Sequence, residues 1–171
     1  MDQPFPNEIF SDVLASNQDF ASDFTDQHLS GKAAKGLAII TCMDSRISPL
    51  QIVGMSPGDV KILRNAGARV TDDVLRTLVL ATFLLGVNRV LIMPHTDCKM
   101  ASATEPQIHA EILREFGVDT RSVEIRTVTD TFEALRTDIK RIRTYPLLAS
   151  GTSVAGAIYD VHTGKLNPVD V

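Results

Sequence analysis

Between Asn7 and Phe24 the apolar residues Ile9, Phe10, Val13, Leu14, Phe20, Ala21 and Phe24 recur at the spacing of one helical stripe. A small-residue link from Gly31 to Gly36 then leads into Leu37-Ala38-Ile39-Ile40-Thr41. That unbroken apolar run suits a strand buried on both faces, and it ends at Cys42. Val60 to Leu63 predicts a second strand, followed by Arg64-Asn65-Ala66-Gly67. Thr71 with Asp72 and Asp73 reads as a helix start, its acids at the positive end of the dipole. This helix runs to Leu85 with Gly86 as the stop, and being apolar nearly all round it is expected to lie deeply buried.

Val90-Leu91-Ile92-Met93 predicts a third buried strand, with His95 directly after it. Glu105 to Phe116 reads as a helix, with Pro106 near its start and Gly117 past its end. Val123, Ile125 and Thr127 alternate with polar residues, which predicts a half-exposed fourth strand. Asp130 to Arg143 follows as an amphipathic helix with Phe132, Leu135, Ile139 and Ile142 on one face. Lys140, Arg141 and Arg143 sit at its negative end. Val154 to Tyr159 is expected to be the last strand, and His162-Thr163-Gly164-Lys165 a turn.

Strands alternating with helices imply an α/β fold: a mainly parallel β-sheet flanked by helices. The 171 residues suit a single domain, 1–171, with residues 1–30 as an N-terminal helical arm. In parallel sheets the functional site forms beyond the carboxyl ends of the strands, near the switch in strand order. Cys42 and His95 both fall at such ends.

Composition narrows the partners. Hydrophobic residues make up 44% and charged residues 22%, ordinary globular material, and the formal net charge of −4 gives no sign of a nucleic-acid or anionic-membrane surface. The start, Met1-Asp2-Gln3-Pro4, has no basic n-region, and the longest strongly apolar segment, Leu75 to Val87, is too short to span a bilayer. A cytoplasmic protein is therefore expected. The two cysteines, Cys42 and Cys98, then favour metal binding or catalysis, with a disulfide between them as the alternative.

A catalytic zinc keeps three protein ligands and one open position, and thiolate and imidazole are its preferred donors. Cys42, His95 and Cys98 supply that set, with His95-Thr96-Asp97-Cys98 as a compact clip on one loop. Each cysteine taken singly also fits the role of a small buried hydrophobe. Cys42-Met43-Asp44-Ser45-Arg46 adds a carboxylate and a guanidinium within four residues of a ligand. Most such pairs are surface salt bridges of little value, but beside a metal the pair can hold Asp44 ionised and oriented. Asp44 then accepts a hydrogen bond at the open position or occupies it as a fourth ligand.

These motifs, with Arg64-Asn65-Ala66-Gly67 and Val70-Thr71-Asp72-Asp73 between them, resemble the β-class carbonic anhydrases over most of the chain. The short length resembles the compact bacterial branch. The resemblance implies one Zn2+ per chain on Cys42, His95 and Cys98, a catalytic Asp44–Arg46 dyad, and Asp44 as a ligand only if the site is closed. It implies reversible hydration of carbon dioxide to bicarbonate and a proton, with the backbone around Ala66 and Gly67 lining the substrate pocket. It also implies an obligate homodimer, or a tetramer built from it, in which N-terminal helices embrace the partner. Phe10, Phe20 and Phe24 then cover that partner; otherwise they pack against the chain's own core. Two thiolates cancel the charge of the metal, so water is acidified less than by three neutral histidines, and activity is expected to rise above neutrality.

Two departures from the family pattern stand out. Lys99 replaces the glycine that commonly follows the second cysteine, so it either alters entry to the pocket or projects into solvent. The chain also has no tryptophan, which argues against the bicarbonate pocket through which some members are regulated. His28, His109 and His162 read as surface or locally bonded histidines, and none is identifiable as a proton shuttle. The nearest rival reading is a hydrolase of carbonyl sulfide or carbon disulfide on the same site. A non-catalytic zinc or redox-sensing module ranks lower, since structural zinc sites normally have four permanent ligands.

Overall fold

The computed structural model describes residues 4–171. Two compact units are distinguished, residues 1–30 and residues 31–171. In the first, α1 (Ser11–Ser22) is a helix none of whose residues is buried. Phe10, Phe20 and Phe24 are exposed. Their rings pair locally, Phe5 with Phe10 and Phe20 with Phe24, at centroid distances of 5.5 and 5.6 Å.

The second unit is built on β1 (Leu37–Cys42), β2 (Val60–Asn65), β3 (Arg89–Met93), β4 (Ser153–Tyr159) and β5 (Leu166–Val169). They form one sheet in the order β2-β1-β3-β4-β5, with the first four parallel and β5 antiparallel to β4. Every residue of β1 is buried, as its unbroken apolar run requires. Ala38 and Ile40 point into one core with residues of α3 (Asp72–Leu84) and α5 (Thr131–Arg143). Leu37, Ile39 and Cys42 belong to the core on the other face, with Ile47 and, partly buried, Ile52 of α2 (Pro49–Ile52). Gly156 allows α5 to lie close on β4: a Cβ there would meet Ile139 and Leu135 at 2.7 and 2.8 Å.

Local chemistry closes the helices where the sequence marks it. The Thr71 hydroxyl accepts the Val74 N–H at the start of α3, and Thr104 with Gln107 forms a capping box on α4 (Glu105–Phe116). Gly117 ends α4 in the left-handed conformation.

Four expectations are corrected. Residues 123–127 form no strand, because the N–H groups of Ile125 and Arg126 donate to the Glu105 carboxylate (3.1 and 2.9 Å) instead of to a ladder. Tyr159 does not end the sheet; β5 follows as a short edge strand, where Pro168 is tolerated. α3 is buried on one side only, leaving Leu80, Phe83 and Leu84 exposed. Phe132 is exposed as well, whereas Leu135, Ile139 and Ile142 of the same helix are buried.

Candidate metal centre

The strand order reverses direction between β1 and β3, so their carboxyl ends flank the crevice where α/β sheets bind ligands. Cys42 is the last residue of β1, and His95 lies just beyond β3, bridged to Tyr159 at the end of β4. The buried Thr41 hydroxyl donates to the Met93 carbonyl at 2.8 Å, which ties the two strand ends together beneath the crevice. Cys98 follows on the loop and opens the short 3-10 turn Lys99–Ala101.

The donor atoms of Cys42, His95 and Cys98 all lie within 4.8 Å of one another. The two sulfurs are 3.9 Å apart, and both cysteines are free thiols, so the disulfide alternative does not hold here. A tetrahedral zinc with sulfur bonds of about 2.3 Å places two sulfurs about 3.8 Å apart, close to this spacing. His95 is fitted to the same role. Its Nδ1–H donates to the Thr96 carbonyl (2.8 Å), leaving Nε2 as the ring atom with a free lone pair. That Nε2 is buried without a hydrogen-bond partner in the protein. A buried, unsatisfied nitrogen beside two thiols is costly unless a cation takes it. Burial pushes the Cys98 thiol up to about 11, with the Cys42 and Asp44 charges adding to the shift. A bound cation would reverse that balance, since coordination deprotonates a thiol outright.

Asp44 stands beside the three donors, its Oδ2 3.8 Å from His95 Nε2. It is held from the other side by Arg46: Nε donates to Oδ1 at 3.0 Å and Nη2 to Oδ2 at 2.8 Å, and the Arg46 backbone N–H adds a third bond. These side-chain and backbone bonds hold the Asp44 carboxyl well below the usual carboxylate range and raise Arg46 further.

Ala66 and Gly67 lie in a 3-10 turn after β2. Gly67 has φ +80°, and a Cβ there would come within 3.3 Å of the Met100 side chain, so glycine lets this turn close on the loop that carries Cys98. The Asn65 side chain spans the turn, accepting from the Arg69 N–H (2.8 Å) and donating to the Arg69 carbonyl (2.7 Å). Ala66 faces a cavity of about 370 Å³ that is also lined by Asn65, Arg69 and Arg126. Lys99 is exposed. His109 is buried and bonded to the Thr120 hydroxyl (2.8 Å), while His28 and His162 are exposed.

Two further residues join the site through contacts that sequence spacing does not mark. Arg64 donates to the carbonyls of Cys42 (2.9 Å) and Asp44 (2.7 Å), fixing the backbone that presents both. Asp97 accepts from Arg46 Nη1 at 2.8 Å, and its carbonyl from Nη2 at 3.0 Å. Arg64 stood inside a quoted motif and Asp97 between two of the donors; the contacts themselves span 20 to 51 residues of chain.

The fold and site therefore define an α/β protein with a Cys2His donor set at the switch point of its sheet. A carbonic anhydrase family model matches residues 37–116. Beta-carbonic anhydrase 1 of Mycobacterium tuberculosis is 38% identical over 162 residues, covering 94% of this chain and 98% of that protein. The crystal structure of carbonic anhydrase from Streptococcus mutans superposes with a TM-score of 0.88 at 35% identity, covering 99% of this chain and all of the other. Carbon disulfide hydrolase of an Acidianus species is 27% identical over 154 residues, covering 76% of this chain and 75% of that protein. The chain belongs to the β-carbonic anhydrase family.

Proposed function

We propose that this protein catalyses the reversible hydration of carbon dioxide on one zinc ion per chain, held by Cys42, His95 and Cys98. The observation that carries the reading is the buried, unpartnered His95 Nε2 beside two free thiols, with the Asp44 carboxylate 3.8 Å away. Bound zinc supplies the Lewis acidity that makes water a nucleophile near neutral pH.

The protein's own groups do the rest. Asp44, kept ionised by Arg46, can only accept a hydrogen bond, so it favours a hydroxyl that donates one and orients its lone pair toward the substrate carbon. With both carboxylate oxygens engaged by Arg46, we assign the resting site to the open arrangement, in which Asp44 is not a ligand. Arg64 and Arg46 keep the strand-end backbone and the carboxylate in register, and the Ala66–Gly67 turn forms a wall of the substrate pocket. Residues 31–171 carry this site, with residues 1–30 as an arm that packs on a second copy in a homodimer. Free thiols at the centre suit the reducing cytoplasm. Among the described residues no helix is long and apolar enough to cross a membrane.

The test is stopped-flow carbon dioxide hydration, with zinc content measured, on the native protein and Asp44→Asn. The native protein should hydrate carbon dioxide with one zinc per chain. The variant should keep its zinc and lose about 10²-fold in kcat/KM. A native protein that holds one zinc and shows no hydration between pH 6 and 9 overturns the reading. Sulfide release from carbonyl sulfide and carbon disulfide, measured on the same preparations, tests the hydrolase reading, which is supported by relatives at 27% identity against 38%.

A further inference from the structure

A guanidinium carries five N–H donors in one plane, and Arg46 divides its bonds between two residues from different loops. Nε and one Nη2 hydrogen go to the Asp44 carboxylate, which lies two residues earlier in the chain. The other Nη2 hydrogen goes to the Asp97 carbonyl and Nη1 to the Asp97 carboxylate, 51 residues away. Asp97 stands between His95 and Cys98, at φ +56°, a left-handed conformation that Asp and Asn tolerate better than most residues. Its loop is anchored independently of Arg46. The Thr96 N–H donates to the Tyr159 carbonyl at 2.9 Å, and the Thr96 hydroxyl accepts the Val161 N–H at 3.1 Å.

We infer that Asp97 is a positioning residue that fixes the Arg46 guanidinium independently of Asp44, and so keeps the Asp44 carboxylate off the metal and the fourth position exchangeable. Asp44 has two competing cationic partners, Arg46 and the metal. The Arg46 side chain is 44% exposed, and held by Asp44 alone it would lose its place each time that carboxylate turned away. A long exposed side chain pays rotamer entropy to re-form such a pair. With Asp97 holding it, Arg46 stays where it can recapture Asp44, and the open arrangement prevails. The inference rests on the ligand set proposed above.

The experiment uses Asp97→Asn and Asp97→Gly, both suited to a positive φ, each loaded with cobalt(II) in place of zinc. Azide is titrated in while the visible spectrum is followed, which reports whether the fourth position accepts an outside ligand. Closing the site on Asp44 weakens apparent azide affinity by the fraction left open. About three- to tenfold weaker binding is expected for Asp97→Gly and less for Asp97→Asn, which keeps one carbonyl acceptor. Metal content and Tm should match the native protein, and a crystal structure of zinc-loaded Asp97→Gly should place an Asp44 oxygen about 2 Å from the metal. Native azide affinity in both variants overturns the inference, as does loss of the metal from both. A native protein that takes up neither metal on the three donors overturns the functional reading itself, so the two failures are distinct.

Discussion

A carboxylate offered two backbone N–H groups binds protons weakly, and Glu105 at the start of α4 is in that position. The amides of Ile125 and Arg126 donate to its two oxygens, and His109 lies 3.6 Å away on the next turn. The first two bonds, then the histidine, hold the Glu105 carboxyl below its ordinary value of 4.5. A group whose folded pKa is depressed stabilises the fold above its unfolded pKa, and that contribution is lost as pH falls through the folded value. Glu105→Gln should therefore unfold at a lower urea concentration than the native protein at pH 7. The gap should narrow as pH falls below the ordinary carboxylate value and on through the depressed folded one, where the native carboxyl takes up its proton. Urea midpoints at pH 7 and at about pH 3.5 check this; a gap equal at both would remove the charge from the explanation. The same residue explains why the alternation at Val123, Ile125 and Thr127 yields no strand: the donors a ladder needs are taken by its carboxylate, and Arg126 turns to φ +59°, out of the extended conformation.

Among the elements, α5 connects the sheet to the site. It lies close on β4 over Gly156, and from its buried side Asp138 accepts two bonds from Arg69 (2.7 and 3.3 Å). One turn further, Arg141 donates to the Val70 carbonyl at 2.6 Å and to Asp72. The loop that begins at the Ala66–Gly67 turn is thus tied to the helix by an interior ion pair. Breaking a buried pair by removing one charge strands the other, so Asp138→Asn should cost about 3 kcal/mol or more. For a chain of this length that lowers Tm by roughly 6–12 °C in calorimetry, and an unchanged Tm would show the pair to be idle.

None of these ties was legible in the sequence, while β1, β3, the Thr71 cap and the Pro106–Gly117 bounds of α4 were. The difference is range. Apolar runs and caps are written in adjacent residues, whereas Arg69–Asp138 and Arg46–Asp97 join residues 69 and 51 positions apart. The donor set lay between these extremes, visible because Cys42 and His95 each end a readable strand. β5 escaped notice because four residues including a proline carry too little pattern to mark a strand. Phe132 shares the inward stripe of α5 yet is exposed, because periodicity reports a face and not how far that face extends before its helix meets solvent.

At the scale of the whole molecule, a single chain leaves apolar surface uncovered. α1 is 12 residues long and buries none of them, although an isolated helix of that length is marginal in water. Ile9 and Phe10 just before it and Val13 and Leu14 within it are exposed, as are Leu80, Phe83 and Leu84 on the outer side of α3. Surfaces of this kind mark interaction sites, and they fit the homodimer proposed above. The arm's charge suits docking on a body of opposite sign: residues 1–31 hold Asp2, Glu8, Asp12, Asp19, Asp23 and Asp26 with no lysine or arginine, so the excess of positive charge lies in the rest of the chain. If α1 owes its helicity to a second copy, replacing Phe10 and Phe20 by serine should dissociate the assembly and melt the helix together. Sedimentation should then shift from about twice the chain mass toward 18.6 kDa, with a parallel loss of far-ultraviolet circular dichroism. A native protein that sediments at 18.6 kDa at micromolar concentration would show that α1 stands without a partner.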